Sequence, residues 1–305
     1  MSERKALLIL HGKQALNEDV RAAVKARRAE GWELAVRLTW EAGDAQRLVD
    51  EALAAGYTQL IAGGGDGTLR DIAQAMALSA SDASLVLLPL GTANDFARAA
   101  GVSLIPQEAL QMLDVPARAI DLGEVDGQVF LNMATGGFGS QVTANTSEDL
   151  KKILGSAAYL FTGLSRFSEL HAAYGELHGP DFHWQGDLLA LGIGNGRQAG
   201  GGQLLCPHAV VDDGLLDISI LPAPQEVVST LRDLLAGGLG IDNMFVRARL
   251  PWVEIKVSEG LYINLDGEPL QGDNLRFSVR PAALRVHLAP DSPLLGDQQS
   301  ANHRD

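Results

Sequence analysis

Residues 59–68 read Gln-Leu-Ile-Ala-Gly-Gly-Gly-Asp-Gly-Thr, an apolar run that passes into a glycine-rich turn. The residues after the turn, 69–79, have the apolar spacing of a helix. Glycines at such a strand-to-helix junction let the backbone approach a ligand closely, and the free amides at the helix start favour an anion such as phosphate. A tight turn with glycines for geometry alone is the simpler interpretation. Because four glycines surround one Asp and one Thr, we favour a phosphate-binding turn.

Apolar strands alternate with helices along the N-terminal part of the chain. The predicted strands are residues 6–10, 32–38, 58–62 and 84–88, and the predicted helices begin at Asn17, Asp44 and Leu69. Strands separated by helices of about 10–15 residues are typical of a parallel sheet. The pattern therefore predicts a Rossmann-like three-layer α/β domain over residues 1–123.

The pattern changes after about residue 122. Residues 253–257, 275–279 and 284–288 alternate apolar and polar side chains, which is typical of antiparallel strands with one wet face. Asp126-Gly127 lies between two apolar runs and predicts a hairpin turn. Residues 147–170 and 224–236 have helical patterns. We therefore expect an antiparallel β-sandwich domain with helical insertions over residues 124–287, and frayed residues at 298–305.

The composition excludes several classes of function. Of the 305 residues, 24 are Lys or Arg and 38 are Asp or Glu, so the net charge of −14 argues against a nucleic-acid partner. The single cysteine rules out an intramolecular disulfide, which fits a reducing compartment. No run of about 18 apolar residues predicts a membrane span, and the N-terminal apolar stretch is too short for a signal peptide. We expect a cytoplasmic protein.

A second turn of the same kind follows the next predicted strand. Residues 89–98 read Pro-Leu-Gly-Thr-Ala-Asn-Asp-Phe-Ala-Arg. Both turns would lie at the carboxyl ends of parallel strands, where ligands bind, so together they predict a phosphate-facing cleft. Taken singly, Asp95 could be only a helix cap and Arg98 only a solvated charge. The first turn does not fit a Walker loop, and Thr68 replaces the last glycine of the dinucleotide fingerprint, which makes an oxidoreductase a weak alternative.

The two turns together resemble the diacylglycerol kinase catalytic-domain superfamily, which includes sphingosine kinases and bacterial lipid kinases. The resemblance extends to residues 7–13, 36–40, 132–139, 192–202, 212–217 and 264–269. Over nearly the whole chain the sequence is similar to the YegS-type bacterial lipid kinases. This resemblance implies two domains with ATP in the cleft between them, and a final segment at about 288–297 that returns to the first domain.

The resemblance also implies roles for individual residues. Positions that match ATP contacts of the family are Thr39, Gly65, Asp66, Gly67, Thr68, Leu69, Arg70, Asp71 and Thr92. Arg70 departs from the family, where Asn is frequent, which leaves open whether its side chain contacts the nucleotide. Weaker candidates for substrate or phosphate contacts are Asp95, Arg98 and Asn195.

Glu268 matches the family's proton acceptor, and Asp266 beside it is the second catalytic candidate. From the residues alone, Asp266-Gly267 is more simply a hairpin turn between two strands. The resemblance further implies a structural site for Mg²⁺ or Ca²⁺ at Asp213 and the carbonyl groups of Val210 and Leu215. Oxygen ligands on a short loop suit such a hard cation, but without the resemblance this loop would be read as another turn.

The function implied is transfer of the ATP γ-phosphoryl group to a free hydroxyl of a membrane lipid, with Mg²⁺ and with phosphatidylglycerol as the first candidate. The alternatives are a diacylglycerol kinase, a kinase of a soluble alcohol such as NAD, and a regulator that has lost catalysis. The presence of Glu268 gives no support to the last of these. Peripheral membrane contact is expected, with Phe161, Leu164 and Phe167 either facing lipid or forming core.

Overall fold

The computed structural model describes residues 4–79, 81–137, 173–223 and 244–296. The helices are α1 (Glu18–Ala29), α2 (Asp44–Ala54), α3 (Asp66–Leu78), α4 (Asp95–Ala99) and α5 (Pro106–Ala109), with 3-10 turns at Gly12–Gln14 and Leu110–Asp114. The predicted helices at 147–170 and 224–236, the three candidate lipid-facing residues and residues 298–305 lie outside the described residues. Within the described ranges, no helix combines the length and the apolar character needed to cross a membrane.

The strands form two sheets. They are β1 (Lys5–His11), β2 (Glu33–Thr39), β3 (Gln59–Gly64), β4 (Ser84–Pro89), β5 (Ala117–Val125), β6 (Gln128–Phe130), β7 (Met133–Gly137), β8 (Ala173–Gly179), β9 (Phe182–Gly194), β10 (Gln198–Ala199), β11 (Gln203–Leu204), β12 (Leu216–Pro222), β13 (Val246–Leu250), β14 (Trp252–Leu265) and β15 (Glu268–His287). β10 and β11 pair only with each other, and the other strands belong to one large sheet.

The four N-terminal strands are parallel and lie in the order β2-β1-β3-β4. Since βαβ crossovers are right-handed, α1 covers one face of this part of the sheet and α2 and α3 cover the other. The observed contacts agree, because α1 packs with α5 whereas α2 packs with α3. The mixed α/β prediction is confirmed. Its Rossmann-like detail is not, because that fold orders its strands 3-2-1-4.

Helix α3 begins earlier than the apolar periodicity predicts. The pattern indicated a start at Leu69, whereas the helix starts at Asp66, with Gly65 as its N-cap residue. Asp66, Gly67 and Thr68 carry no apolar signal, yet they form the first turn of the helix. The residues predicted to bind phosphate are therefore themselves the start of the helix.

The C-terminal strands are mainly antiparallel, in the order β13-β12-β9-β7-β14-β15, with β8 between β9 and β14 and with β5 and β6 beyond β15. Val125 in β5 and Ile218 in β12 lie far apart in this order but belong to one buried apolar cluster, so the sheet folds over on itself. The predicted hairpin between β5 and β6 is confirmed, because Asp126 and Gly127 both adopt positive φ angles, 50° and 75°.

Strand β15 connects the two halves of the molecule. It begins at Glu268, pairs with β14 and β5, and reaches the parallel sheet where Val286 pairs with β4. The residues after it continue onto the N-terminal half, since Leu288 and Leu294 lie in the same apolar core as the parallel strands. The Ser292 hydroxyl donates a hydrogen bond to the Ala100 carbonyl there.

Candidate active site

The two glycine-rich turns contact each other at the carboxyl edge of the parallel sheet. In the β3–β4 register Gly64 lies opposite Pro89, so the turns that follow these strands emerge side by side. The backbones of Gly65 and Gly91 touch, and a Cβ atom on Gly91 would lie 2.5 Å from the Gly65 Cα. Glycine is therefore required at this contact, which makes the two sequence motifs one continuous surface.

Asp66 lies between the two turns, at the first position of α3. The backbone N–H groups of Asn94, Asp95 and Phe96 face its carboxylate. Burial raises the pKa of the Asp66 carboxyl group, and the negative charge of Asp95 raises it further, while the three amides act in the opposite direction. A bound cation would favour the ionised form of this carboxyl group, which burial and Asp95 disfavour.

Two further residues of the first turn, Thr68 and Leu69, make contacts within the protein. Leu69 is buried among apolar side chains. A Cβ atom on Gly64 would lie 2.4 Å from the Thr68 Oγ1, so the Thr68 side chain packs over the turn. Leu69 and Thr68 therefore have structural contacts, and what the turn offers a ligand is chiefly its backbone.

Two predicted ATP contacts lie further along the same edge of the sheet. Thr39 ends β2 and pairs with His11 at the end of β1. Thr92 is exposed in the second turn. Both lie at the carboxyl ends of parallel strands, as the sequence predicted, and Trp40 beside Thr39 is 92% exposed.

Asp95 joins the second turn to the C-terminal half. Its buried carboxylate accepts hydrogen bonds from the Gly201 and Gly202 amides, at 3.0 and 2.7 Å. These glycines belong to the glycine-rich loop that contains β10 and β11. The contact holds the loop of one half against a helix start of the other.

The two other weak candidates differ from each other. Asn195 is fully buried, and its amide donates to the carbonyl groups of Asp121 and Leu131. Arg98 is exposed, and its Nε donates to the Ala93 carbonyl. The burial of Asn195 favours a structural role, whereas the Arg98 side chain is accessible from solvent.

The hairpin between β14 and β15 presents Glu268. Asp266 and Gly267 form the turn with φ angles of 46° and 104°, and Leu265 pairs with Glu268 across it. The Glu268 side chain is 59% exposed. The hairpin turn predicted at Asp266-Gly267 and the proton acceptor that the resemblance implies, Glu268, therefore belong to one hairpin.

Asp266 anchors this hairpin. Its carboxylate accepts hydrogen bonds from three successive backbone amides: Leu131 at 2.6 Å, Met133 at 2.8 Å, and Asn132 between them. Although the turn itself is partly exposed, the Asp266 carboxyl group is enclosed. Burial raises the pKa of this group, and the hydrogen bonds from the three amides offset only part of that rise. These amides were missed from the sequence, because no pattern shows which segment lies against a turn.

Arg70 brings the two halves of the predicted site together. From the second turn of α3 its Nη1 lies 3.3 Å from the Glu268 Oε1, and its guanidinium also contacts Asp71. Only 13% of the Arg70 side chain is exposed. The residue that departs from the family pattern therefore spans the cleft between the glycine-rich turn and the predicted proton acceptor.

Mg²⁺ fits the cleft on chemical grounds. This ion is usually held by one or two carboxylates together with phosphate oxygens. Asp66 supplies such a carboxylate beside amides suited to phosphate. In the part of the chain that is described, no group of three or more His, Cys, Asp or Glu side chains is placed to hold a metal ion without a ligand's help.

The predicted structural metal site fits less well. The Asp213 Oδ1 accepts a hydrogen bond from the Leu215 amide at 3.0 Å, and Arg249 contacts the Asp213 Oδ2. The described donors of Val210, Asp213 and Leu215 include a single carboxylate, and Arg249 already neutralises its charge. A metal ion at this loop remains a prediction.

Family models match both halves of the chain. The diacylglycerol kinase catalytic domain matches residues 5–125. The YegS C-terminal NAD kinase beta sandwich-like domain matches residues 133–288. The chain belongs to the YegS-like branch of the diacylglycerol kinase family. The predicted resemblance is confirmed, and with it the assignment of this YegS-like protein as a kinase that uses ATP.

Individual relatives cover the whole chain. A Pseudomonas fluorescens (strain Pf-5) protein named "Probable lipid kinase YegS-like" is 83% identical over 97% of this chain and 99% of its own length. A Pseudomonas aeruginosa (strain PAO1) protein of the same name is 69% identical over 97% and 98%. A crystal structure of a diacylglycerol kinase from Bacillus anthracis (strain Sterne) has a TM-score of 0.73 at 20% identity, over 96% of this chain and 99% of that one. At that identity the likeness supports the fold of the YegS-like kinase.

Proposed function

We propose that this YegS-like kinase transfers the γ-phosphoryl group of ATP to a free hydroxyl of a membrane lipid, with phosphatidylglycerol as the first candidate. The observation that carries the proposal is the Arg70–Glu268 contact, which places an exposed carboxylate of the β14–β15 hairpin beside the glycine-rich start of α3. The names of the relatives support a lipid as the acceptor. The enzyme would reach this lipid from the cytoplasm by peripheral contact with the membrane.

The triphosphate of ATP would lie on the first turn of α3. Gly65, Gly67 and the residues after them offer free backbone amides at a helix start, where the dipole also favours an anion. Asp66 would hold Mg²⁺, which neutralises phosphate charge when bound. Thr39 and Thr92 extend the nucleotide site along the carboxyl edge of the sheet.

Glu268 would accept the proton of the lipid hydroxyl. As the hydroxyl oxygen attacks the γ-phosphorus, the bond to the leaving ADP breaks and the proton passes to the Glu268 carboxylate. A positioned base of this kind accelerates a reaction by about 10²–10⁴-fold. Asp266 would act as a positioning residue, because its carboxylate fixes the hairpin by accepting hydrogen bonds from the backbone amides of residues 131–133.

The proposal is tested by supplying radiolabelled ATP and Mg²⁺ with three acceptors: micelles of phosphatidylglycerol, micelles of diacylglycerol, and NAD in solution. We expect label on phosphatidylglycerol. Label on diacylglycerol alone would replace phosphatidylglycerol by diacylglycerol as the acceptor and would still support a lipid kinase. Label on NAD alone would overturn the proposal, and this arm is included because the second family model is NAD kinase-like.

A binding measurement tests the nucleotide site separately. Asp66→Ala should weaken ATP binding in the presence of Mg²⁺, because the ion then loses its protein carboxylate. Glu268→Gln serves as the matched control, since its ATP binding should be no weaker than that of the unchanged enzyme although turnover is lost. Unchanged ATP affinity in the Asp66 variant would contradict the assignment of the turn.

A further inference from the structure

We propose that Arg70 exchanges partners during the reaction: it pairs with Glu268 in the nucleotide-free enzyme and moves to the γ-phosphoryl group when ATP binds. The exchange would free Glu268 to accept a proton at the moment when the phosphoryl group is in place. This inference rests on the proposed function insofar as ATP occupies the start of α3.

The position of Arg70 on α3 gives it access to both partners. Asp66 and Arg70 are four residues apart, so they lie on the same face of the helix. Side chains on a helix lean toward its N-terminus, which directs the Arg70 guanidinium toward the glycine-rich turn. The observed contact with Glu268 shows that the same guanidinium reaches the hairpin of the other half.

Arg70 carries the positive charge in an acidic part of the cleft. Its guanidinium contacts Asp71 and Glu268, and its charge also acts on Asp266. The cation of the second turn, Arg98, instead donates to the Ala93 carbonyl at the surface. A phosphate placed between the turn and Glu268 would therefore meet Arg70 as its nearest cationic partner among these residues.

The two contacts of Arg70 differ in strength. The Asp71 carboxylate is 47% exposed but accepts hydrogen bonds from both Nε and Nη2 of Arg70, whereas Glu268 is 59% exposed and lies 3.3 Å from Nη1 alone. Exposed ion pairs contribute little to stability. A phosphoryl group can accept two parallel hydrogen bonds from a guanidinium, which is a stronger and more directional interaction. Exchange of Glu268 for the γ-phosphoryl group is therefore favourable, while the Asp71 contact keeps the side chain in the cleft.

The exchange matches what the reaction requires. The lone pair of the lipid hydroxyl forms the new bond to the γ-phosphorus, ADP leaves with the electron pair of the broken bond, and the proton passes to Glu268. A guanidinium on Glu268 would stabilise the carboxylate and make it a weaker base. On the phosphoryl oxygens, the same guanidinium stabilises the charge of the transition state, as arginine residues do in other phosphoryl-transfer enzymes.

The decisive measurement compares ATP with ADP, because ADP lacks the group that Arg70 would bind. Calorimetric titration of Arg70→Gln with each nucleotide should show ATP affinity reduced by about tenfold or more, the loss typical of a hydrogen bond to a charged group. ADP affinity should change by less than about twofold. Arg70→Lys should fall between these limits, since it keeps the charge but not the paired donors.

Arg276→Gln is the matched control. Arg276 also pairs with a single glutamate, Glu254, and its guanidinium stacks on Trp252, but it lies outside the cleft. This variant should bind both nucleotides as the unchanged enzyme does. Equal losses for ATP and ADP in Arg70→Gln, or no loss for either, would overturn the inference.

A second variant tests the competing partner directly. Glu268→Gln removes the carboxylate that holds Arg70 in the free enzyme, so ATP should bind about two- to fivefold more tightly, as expected for loss of an exposed ion pair. ADP binding should not change. Weaker ATP binding in this variant would contradict the exchange.

The same set of proteins separates this inference from the proposed function. If the unchanged enzyme labels lipid but Arg70→Gln keeps its preference between ATP and ADP, only the exchange fails. If Arg70 controls that preference but no lipid is labelled, the proposed acceptor fails and the exchange stands.

Discussion

Among the arginines of this YegS-like kinase that each contact two carboxylates, Arg70 and Arg249 lie in different surroundings. Arg70 contacts Asp71 and Glu268 and is 13% exposed. Arg249 contacts Asp213 and Asp217 and is 44% exposed. The first group joins the N-terminal half to the C-terminal hairpin, whereas the second lies within the C-terminal half.

The sheet register explains why these groups should behave differently. Arg249 in β13 lies directly opposite Asp217 in β12, so the backbone ladder holds the two side chains together whatever else is bound. No ladder joins α3 to the β14–β15 hairpin, and the Arg70–Glu268 contact depends on the side chains themselves. The Arg249–Asp217 pair, which the sheet register fixes, is suited to a structural role. The Arg70–Glu268 pair, which bridges separate elements, is suited to exchange with a ligand.

The largest expected effect is at the bridging pair. Glu268→Gln should lower the rate of label transfer to lipid by about 10²–10⁴-fold, because it removes the proposed base. Initial rates at saturating ATP measure this effect. Glu254→Gln, which changes the partner of Arg276 outside the cleft, is the control. A rate within about twofold of the unchanged enzyme would remove Glu268 from the mechanism.

Asp266, which anchors the β14–β15 hairpin, should contribute mainly to the stability of the fold. Asp266→Ala leaves three backbone amides without their acceptor, and we expect the free energy of unfolding to fall by about 3 kcal/mol. Urea denaturation measures this change. Asp213→Ala, whose carboxylate has one backbone amide partner, should cost only about 1 kcal/mol. Equal losses in the two variants would erase the distinction between them.

The register-fixed pair can be tested with divalent cations. Arg249→Ala should lower the free energy of unfolding by about 0.5–1 kcal/mol in the presence of a chelator, as for a partly exposed pair. Mg²⁺ or Ca²⁺ should then restore stability, since Asp213 and Asp217 lose their internal cation. The unchanged enzyme should respond less to the same ions. Thermal unfolding with and without each ion gives the comparison, and no response in either protein would argue against a metal at this loop.

The smallest effect is expected at the far end of the strand that begins with Glu268. His287 is buried and hydrogen-bonds Ser84 and the Val115 carbonyl, and burial lowers its pKa. Below the pKa of the unfolded state, about 6.5, the unfolded chain binds a proton that the folded protein does not, so stability is lost as the pH falls. His287→Gln should flatten this loss between about pH 7 and pH 5. Urea denaturation at a series of pH values checks it, and an unchanged slope would contradict the assignment.

The sequence predicted those features that depend on local patterns. The alternation of strands and helices gave the parallel strands, and Asp126-Gly127 gave its hairpin. It could not give contacts between distant segments. Arg70 and Glu268 are far apart in the chain, and so are Asp266 and the backbone amides of residues 131–133 that bind it. Asp121 was missed for the same reason: its buried carboxylate binds the Gly214 and Ala282 amides, neither of them near it in sequence.

The continuity of β15 determines where the enzyme can bend. A strand of 20 residues hydrogen-bonded to both halves resists flexing along most of its length. Its ladder with β5 breaks between Arg280 and Leu284, where Ala282 takes a φ angle of 50°. If the mouth of the cleft widens to admit a bulky lipid, we expect β15 to bend at this break. The hydrogen bonds from the Ala282 and Gly214 amides to the Asp121 carboxylate would oppose that bending.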